Sequence, residues 1–218
     1  MNAHDELIDG LSRDLEPVSL APNINALAIV WFLLSATYVV VMTHLIGPIR
    51  PGAFAQLISE PRFLLESLLG VVAIIWTSMV AFRAAIPAVL TRTFATVGFV
   101  LMSLWLAQYV IGLVSPALEA STLGKREYCY LETMAYAFPP ILIALFLVLR
   151  LYPLHYIRTA MTLGLTAGML PALYMQLACM YEPFHILSLH VLPGLTMVLI
   201  GAAVARLWRL RRSGSLKP

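Results

Sequence analysis

Long apolar runs separated by short polar segments are the main pattern of this chain. A helix needs about 20 apolar residues to cross the hydrocarbon core of a bilayer, and the chain contains six runs of about that length. The runs lie at Ile24–Ile46, Phe63–Phe82, Thr93–Val114, Leu131–Leu149, Thr159–Cys179 and Ile186–Ala205. The pattern predicts an all-α polytopic membrane protein, built as a bundle of six transmembrane helices joined by short loops.

The segment before the first run is polar and has a helical period of its own. On a helix of 3.6 residues per turn, its apolar residues fall within an arc of about 100°. These residues are Leu7, Ile8, Leu11 and Leu15. We therefore expect a short amphipathic helix in residues 1–22, the bundle in 23–206 and a basic tail in 207–218.

The charge of this first segment favours a protein partner over lipid. Between His4 and Glu16 five acidic residues accompany one arginine, a net charge of −4 with histidine neutral. Helices that lie on a membrane usually carry Lys and Arg, because the cytoplasmic leaflet is anionic. An acidic amphipathic helix instead fits a basic protein surface. The alternative is a solvated tail that binds nothing.

The composition excludes a soluble protein. Only 11% of the residues are charged and 61% are hydrophobic, whereas a soluble domain carries about 25% charged residues. The first run has 23 residues, too many for the core of a signal peptide, so we expect it to stay in the membrane. The basic residues lie at span ends and in the tail rather than in one patch, so nucleic acid is not an expected partner.

The distribution of Lys and Arg predicts that both termini are cytoplasmic. An even number of spans places both termini on one side, and that side would hold ten of the 14 basic residues. The other side would hold the remaining four, Arg50, Arg62, Lys125 and Arg126.

The predicted spans contain few charged residues. Glu66 and Glu132 are the only ones, each about one turn from the outer boundary, and Arg62 at four residues before Glu66 predicts a local ion pair. Charges at mid-depth mark ion and substrate paths, so their absence argues against a proton-coupled pump or a charged-solute transporter. G-x-S-x-G, Walker A, H-E-x-x-H and C-x-x-C motifs are also absent, and no enzyme is predicted.

Small residues and prolines mark two of the spans. Gly164 and Gly168 form a G-x-x-x-G sequence in the fifth run, and Pro139-Pro140 interrupts the fourth. We expect close helix contact at the glycines and a local kink at the prolines. A ligand cavity or a dimer seam is the alternative.

Soft and imidazole side chains collect near the outer ends of the spans. Cys129 precedes the fourth span, Cys179 ends the fifth, His185 and His190 lie about the start of the sixth, and His44 ends the first. Thiolate and imidazole suit copper(I) or zinc, and two thiols in an oxidising periplasm can form a disulfide. Alternatively, cysteine is an apolar filler here and histidine lies in the interfacial belt.

This combination of residues resembles the NrsF-type anti-sigma factors, six-span bacterial inner-membrane proteins that hold an extracytoplasmic-function sigma factor. The resemblance extends from residue 4 to about residue 206. Its most specific parts are the cysteine placement and the E-P-R-F-L-L-E stretch that contains Glu60, Pro61, Arg62 and Glu66. The other matching parts are Leu7-Ile8 with Leu11, D-L-x-P-V at 14–18, Pro153-Leu154, residues 162–168 and the two histidines of the sixth span.

The resemblance implies two functional elements. A cytoplasmic N-terminal segment would sequester the sigma factor, and an outer pair, Cys129 and Cys179, would sense metal or oxidative stress. The sigma-binding residues would be Leu7, Ile8, Leu11, Asp14 and Leu15. Copper or zinc would bind only transiently at the two cysteines, with His185 and His190 as candidate further ligands, and no constitutive cofactor is expected.

A second interpretation is a membrane oxidoreductase subunit. In it, His44, His185 or His190 would ligate haem, or the thiols would pass electrons to quinone. Haem between spans usually needs histidines that face each other at a suitable depth, and a C-x-x-C motif is absent. A visible absorption spectrum of the purified protein separates the two interpretations.

Overall fold

A computed structural model describes residues 3–13, 22–151 and 153–214. This part of the chain is helical, without β-strands, and one isolated β-bridge joins Ser121 to Tyr181. The helices are α1 (Ala3–Arg13), α2 (Ile24–Ile46), α3 (Ala53–Ser59), α4 (Pro61–Arg83), α5 (Arg92–Gly112), α6 (Cys129–Leu149), α7 (Tyr156–Ala178), α8 (Pro183–Ile186) and α9 (Leu192–Gly214), with a π-helical turn, Leu187–Val191, between α8 and α9. The all-α prediction is confirmed for the described residues.

Five stretches among the described residues are long and apolar enough to cross a membrane. They are α2, α4, α5, α6 and the continuous stretch Pro183–Arg211. The remaining predicted span coincides with α7, which has 23 residues but is less apolar because it contains glycine, threonine and glutamine. The protein is thus a helical membrane protein, and the fifth predicted span, Thr159–Cys179, stays a prediction.

The position of α7 explains how it tolerates a less apolar sequence. It packs against α2, α4, α6 and α9, and most of its residues are buried. A helix that is covered by other helices meets little lipid, so its surface has to match protein neighbours instead. We therefore describe α7 as the central helix of the bundle.

Local signals fix where the helices begin. The side chain of Asn23 accepts a hydrogen bond from the amide of Ala26 at the start of α2, and Thr91 does the same for Phe94 at the start of α5. Pro61 occupies the first turn of α4, where a missing N–H costs nothing. These caps lie at the ends of predicted apolar runs, which is why most predicted boundaries are close to the observed ones.

Glycines let α7 and α9 approach each other at backbone distance. A Cβ added at Gly164 would overlap the carbonyl of Met197, and one added at Gly168 would overlap the carbonyl of Gly194. A Cβ at Gly201, two turns further along α9, would meet the carbonyl of Ala160 in the same way. The close contact predicted from G-x-x-x-G is therefore present, and α9 is the helix that makes it.

Two details differ from the predictions or were not anticipated. The α6 helix continues through Pro139 and Pro140, where the kink stays a prediction. The indole nitrogen of Trp31 in α2 donates a hydrogen bond to the Pro140 carbonyl at 3.0 Å. The short helix α3 lies in what the sequence predicted as a loop, since seven residues give too little period to recognise.

Candidate metal and redox site

The two cysteines and two of the histidines meet at one end of the bundle, which we call the cysteine end. One ligand atom from each of Cys129, Cys179, His185 and His190 can be chosen so that all four lie within 4.8 Å of one another. All four side chains are buried, with exposed fractions of 1% for Cys129, 0% for Cys179, 7% for His185 and 0% for His190. Their burial together makes this cluster the candidate functional site.

The two thiols are in contact but are not joined by a disulfide bond. Their sulfur atoms are 3.1 Å apart, and both cysteines are free. In a tetrahedral zinc site with two cysteine and two histidine ligands, metal–ligand bonds of about 2.0–2.3 Å place neighbouring ligand atoms about 3.3–3.8 Å apart. The cluster has this ligand set at nearly this spacing, and the same two sulfurs are near enough to form a disulfide.

The π-helical turn brings the two histidines onto one face. His185 and His190 are five residues apart, and on an α-helix that spacing turns a side chain by about 500°, or about 140° away from its partner. A π-helix bonds residue i to residue i+5, so residues five apart stack instead. The rings are 5.1 Å apart between centroids, and the turn Leu187–Val191 is what places them there.

A threonine orients the ring of His190. The hydroxyl of Thr133 donates to the carbonyl of Cys129 at 2.8 Å, so its oxygen accepts the Nδ1 proton of His190 at 3.3 Å. The other ring nitrogen, Nε2, is buried and has no hydrogen-bond partner among the described residues. A histidine whose Nδ1 donates to the protein and whose Nε2 lone pair is unused is arranged as a metal ligand.

Glu182 fixes the position of His185. Its carboxylate accepts the amides of Phe184, at 3.1 Å, and of His185 itself, which caps the short helix α8. The Nε2 atom of His185 then lies 3.4 Å from the sulfur of Cys179.

A buried ion pair fastens Cys129 to the neighbouring helices. The guanidinium of Arg126 bonds Glu132 at 2.7 Å with 4% and 13% of the two side chains exposed, and it also donates to the carbonyls of Pro48 and Thr43. The thiol of Cys129 donates to the carbonyl of Arg126 at 3.1 Å. From the sequence, Arg126 is only one of four basic residues on the outer side, because nothing in the spacing shows that its loop folds inward.

The long loop between α5 and α6 covers the site. The amide of Ser121 donates to the carbonyl of Tyr181 at 2.8 Å, and the amide of Ala117 donates to the Tyr181 hydroxyl at 3.0 Å. Burial raises the pKa of Tyr181, so this hydroxyl stays protonated. The amide of Arg50 donates to the carbonyl of Ala178, next to Cys179, at 2.9 Å. The site is thereby enclosed by the loops at the cysteine end.

The E-P-R-F-L-L-E stretch has a structural role near this site. Arg62 pairs with Glu66 at 2.9 Å, as predicted, and also donates to the hydroxyl and the carbonyl of Ser115. Glu60 and Pro61 begin α4. These contacts hold the end of α5 against the start of α4.

The other predicted site residues lie apart from the cluster. The Nε2 atom of His44 hydrogen-bonds the hydroxyl of Tyr174 at 2.9 Å, and His44 is not part of the cluster. In α1, the side chains of Leu7, Ile8 and Leu11 are 59%, 58% and 63% exposed. Asp14 and Leu15 lie outside the described residues.

The fold and the site define a class, that of helical membrane proteins with a buried thiol and imidazole cluster at one end of the bundle. The chain matches the model of the family described as NrsF, negative regulator of sigma F, over residues 11–211. It therefore belongs to this family of negative regulators of a sigma factor. No curated protein and no solved structure matches the chain.

Proposed function

We propose that this protein is a membrane-bound anti-sigma factor that senses metal or oxidant at the cysteine end. It would hold an extracytoplasmic-function sigma factor at the bacterial inner membrane and release it when the cluster changes state. The observation that supports this proposal most is the convergence of four buried ligand atoms within 4.8 Å in a chain whose family regulates a sigma factor.

The input would be metal binding or oxidation at the cluster. Cys129 and Cys179, with His185 and His190, form the two-sulfur, two-nitrogen ligand set that suits zinc and, through its thiolates, copper(I). Alternatively, hydrogen peroxide takes two electrons and two protons from the thiols, which gives one disulfide and two molecules of water. Metal binding would draw α6, α7 and the π-helical turn together, whereas the disulfide would join only the start of α6 to the end of α7.

The free energy of such a reaction is large enough to drive release. Reversing a two-state equilibrium from 1:99 to 99:1 requires a ligand to favour one state by about 5.5 kcal/mol. Structural zinc sites provide about 10–16 kcal/mol of apparent binding energy. Metal binding at the cluster is thus sufficient even if only part of its energy distinguishes the two states.

The output would be the N-terminal segment. Three apolar residues of α1 are exposed, and Asp5, Glu6 and Asp9 are exposed beside them. An exposed apolar stripe flanked by carboxylates fits a groove that is apolar at its centre and basic at its rim. Asp14 and Leu15 continue the pattern in the sequence.

The Leu7→Ala, Leu11→Ala double variant should lose repression. Both side chains are exposed, so truncating them leaves the fold intact. An interface anchor worth about 2 kcal/mol weakens binding more than tenfold. A reporter of the target promoter should be constitutively active, and the sigma factor should no longer copurify with the membrane protein.

The matched control is Leu34→Ala. Leu34 is also exposed, at 67%, but it lies in the apolar span α2, where a sigma factor has no access. Repression and copurification should be unchanged in this variant. Full repression in the Leu7→Ala, Leu11→Ala variant would exclude α1 as the sigma-binding element.

A topology experiment tests the orientation. Alkaline phosphatase is active only in the periplasm, so a fusion after Pro218 should be inactive and an insertion next to Ser121 should be active. The expectation depends on the ten-to-four distribution of Lys and Arg. The reverse result would place the cluster in the cytoplasm and contradict periplasmic sensing.

A further inference from the structure

The end of the bundle opposite the cysteines contains a cleft to which the proposed function assigns no role. It has a volume of about 430 Å³ and lies between the connection from α4 to α5 and the start of α7. Its walls are mainly apolar, with Ile86, Leu90 and Leu154 among them. We call it the basal cleft.

Two features of the basal cleft indicate a binding site rather than a packing defect. The hydroxyl of Thr159 lines it, is buried and has no hydrogen-bond partner among the described residues. A buried unpaired hydroxyl is costly, and an acceptor from an occupant would satisfy it. Ala88, at the rim, has a positive φ of 65°, a strained conformation that is found preferentially at functional sites.

The charge around the basal cleft is positive. Arg158 lines it and is exposed, and Arg83 and Arg92 lie at the helix ends on either side of the connection that forms its wall. Residues 67–118 and 133–181, which include all of these elements, contain no Asp or Glu. An occupant with carboxylates would therefore be attracted, and no acidic residue of these stretches would oppose it.

One helix of the same chain has the complementary surface. The exposed residues of α1 combine three carboxylates, Asp5, Glu6 and Asp9, with three apolar side chains, Leu7, Ile8 and Leu11. Apolar anchors one turn apart are what a helix presents when it binds in an apolar groove.

The chain also allows α1 to reach the basal cleft. Ten residues, 14–23, separate the end of α1 from the start of α2, and ten residues can extend over about 33 Å. The start of α2 lies beside the cleft, because Arg83 at the end of α4 donates to Asn25 at 2.8 Å. Adjacent helices are about 8–10 Å apart, so the distance is well within reach.

We propose that the basal cleft is a docking site for α1 of the same chain, and that the cleft and the sigma factor compete for this one helix. This inference rests on the proposed function of α1 in sigma binding. Docked α1 is unavailable to the sigma factor, so docking lowers the apparent affinity for the sigma factor by the fraction of chains that are docked. The cleft thereby sets how readily the sigma factor is released.

Photo-crosslinking in the full-length chain tests the contact directly. The variant Ile8→p-benzoylphenylalanine is reconstituted in lipid nanodiscs without a sigma factor, irradiated and digested with trypsin. We expect intramolecular crosslinks to the fragments 84–92 and 151–158, which line the cleft. Crosslinks confined to lipid, to the tail of α9 or to a second copy of the chain would each overturn the proposal.

Charge reversal at the cleft provides the quantitative test. Arg158→Glu replaces an attraction by a repulsion at an exposed position and should lower the crosslink yield about two- to fivefold. Arg209→Glu, which reverses an exposed arginine on α9, is the matched control and should leave the yield unchanged. An equal loss in both variants would show that net charge, rather than the cleft, attracts α1.

The effect of Arg158→Glu on gene expression should be opposite to that of the α1 variants. Arg158→Glu should free α1 for the sigma factor, so repression tightens and induction requires a higher metal concentration. A promoter reporter that becomes more active in Arg158→Glu would overturn the competition. Because the crosslinking needs no sigma factor, it can succeed even if α1 proves not to bind one, which separates the two hypotheses.

Discussion

Replacing Cys179 with serine should leave the target genes repressed and abolish their response to copper or zinc. Serine keeps the size of the buried side chain but is a poor ligand for soft metals. Altering a residue that only supports a metal ligand commonly costs ten- to a hundredfold in metal affinity, and the loss of a ligand itself should exceed that. Isothermal titration of the purified protein and a promoter reporter measure the two effects.

The cysteines should behave as a unit. Cys129→Ser should lose metal affinity and the promoter response to the same extent as Cys179→Ser. The double variant should lose no more than either single variant, because each single substitution already leaves the ligand set incomplete. Met180→Leu is the matched control, since it removes the thioether of the buried residue next to Cys179 and conserves the side-chain volume. A double serine variant that responds normally would show that the cysteines are filler.

A histidine variant distinguishes metal from oxidant as the signal. His190→Gln removes one nitrogen ligand but leaves the two sulfurs, 3.1 Å apart, free to form a disulfide. Metal responses should therefore be lost and the response to peroxide kept. Loss of both responses would mean that the ring of His190 also positions the thiols.

The sequence predicts most of the helices, and the end of the bundle at which the cysteines lie, for simple physical reasons. A continuous apolar run such as Ile24–Ile46 is helical because every backbone group in a bilayer must be bonded within its own segment, and the observed α2 has the same bounds. Cys129 begins one span and Cys179 ends the next, so antiparallel connection places them at one end of the bundle. Topology gives only this shared end; the distance of 3.1 Å between the two sulfurs is a finding of the structure.

The details of the site depend on features that no periodic pattern contains. The histidines are brought together by a π-helical turn, whereas an α-helical reading of His185 and His190 places them on different faces. From the sequence, Glu132 is an isolated carboxylate within a predicted span. In the structure, the loop before α6 folds inward and places Arg126 in an ion pair with Glu132. The fifth predicted span has a less apolar sequence for a related reason, since the surface of α7 matches protein neighbours rather than lipid.

Substituting Gly168 with alanine should destabilise the bundle strongly. The new Cβ would overlap the carbonyl of Gly194, and because this carbonyl belongs to the backbone, only separation of α7 from α9 relieves the overlap. Overpacking in a core costs about 1–3 kcal/mol and occasionally more, which corresponds to about 2–4 °C in melting temperature for each kcal/mol in a chain of this size. Gly112→Ala, where nothing lies within 4 Å of the added Cβ, is the matched control and should melt as the unaltered protein does.

The position of the altered glycine should also determine how much metal affinity the cluster loses. Gly168 contacts Gly194, one turn after His190, so separating the helices there moves this ligand away from Cys179 and should lower metal affinity at least tenfold. Gly201 contacts Ala160 further from the cysteine end of the same pair of helices, and Gly201→Ala should destabilise the bundle to a similar degree. Because its overlap lies two turns further from the ligands, metal affinity in detergent should stay close to that of the unaltered protein. Equal losses of affinity in both variants would show that α7 and α9 move as one rigid pair, with the cluster responding to their overall separation rather than to the contact beside it.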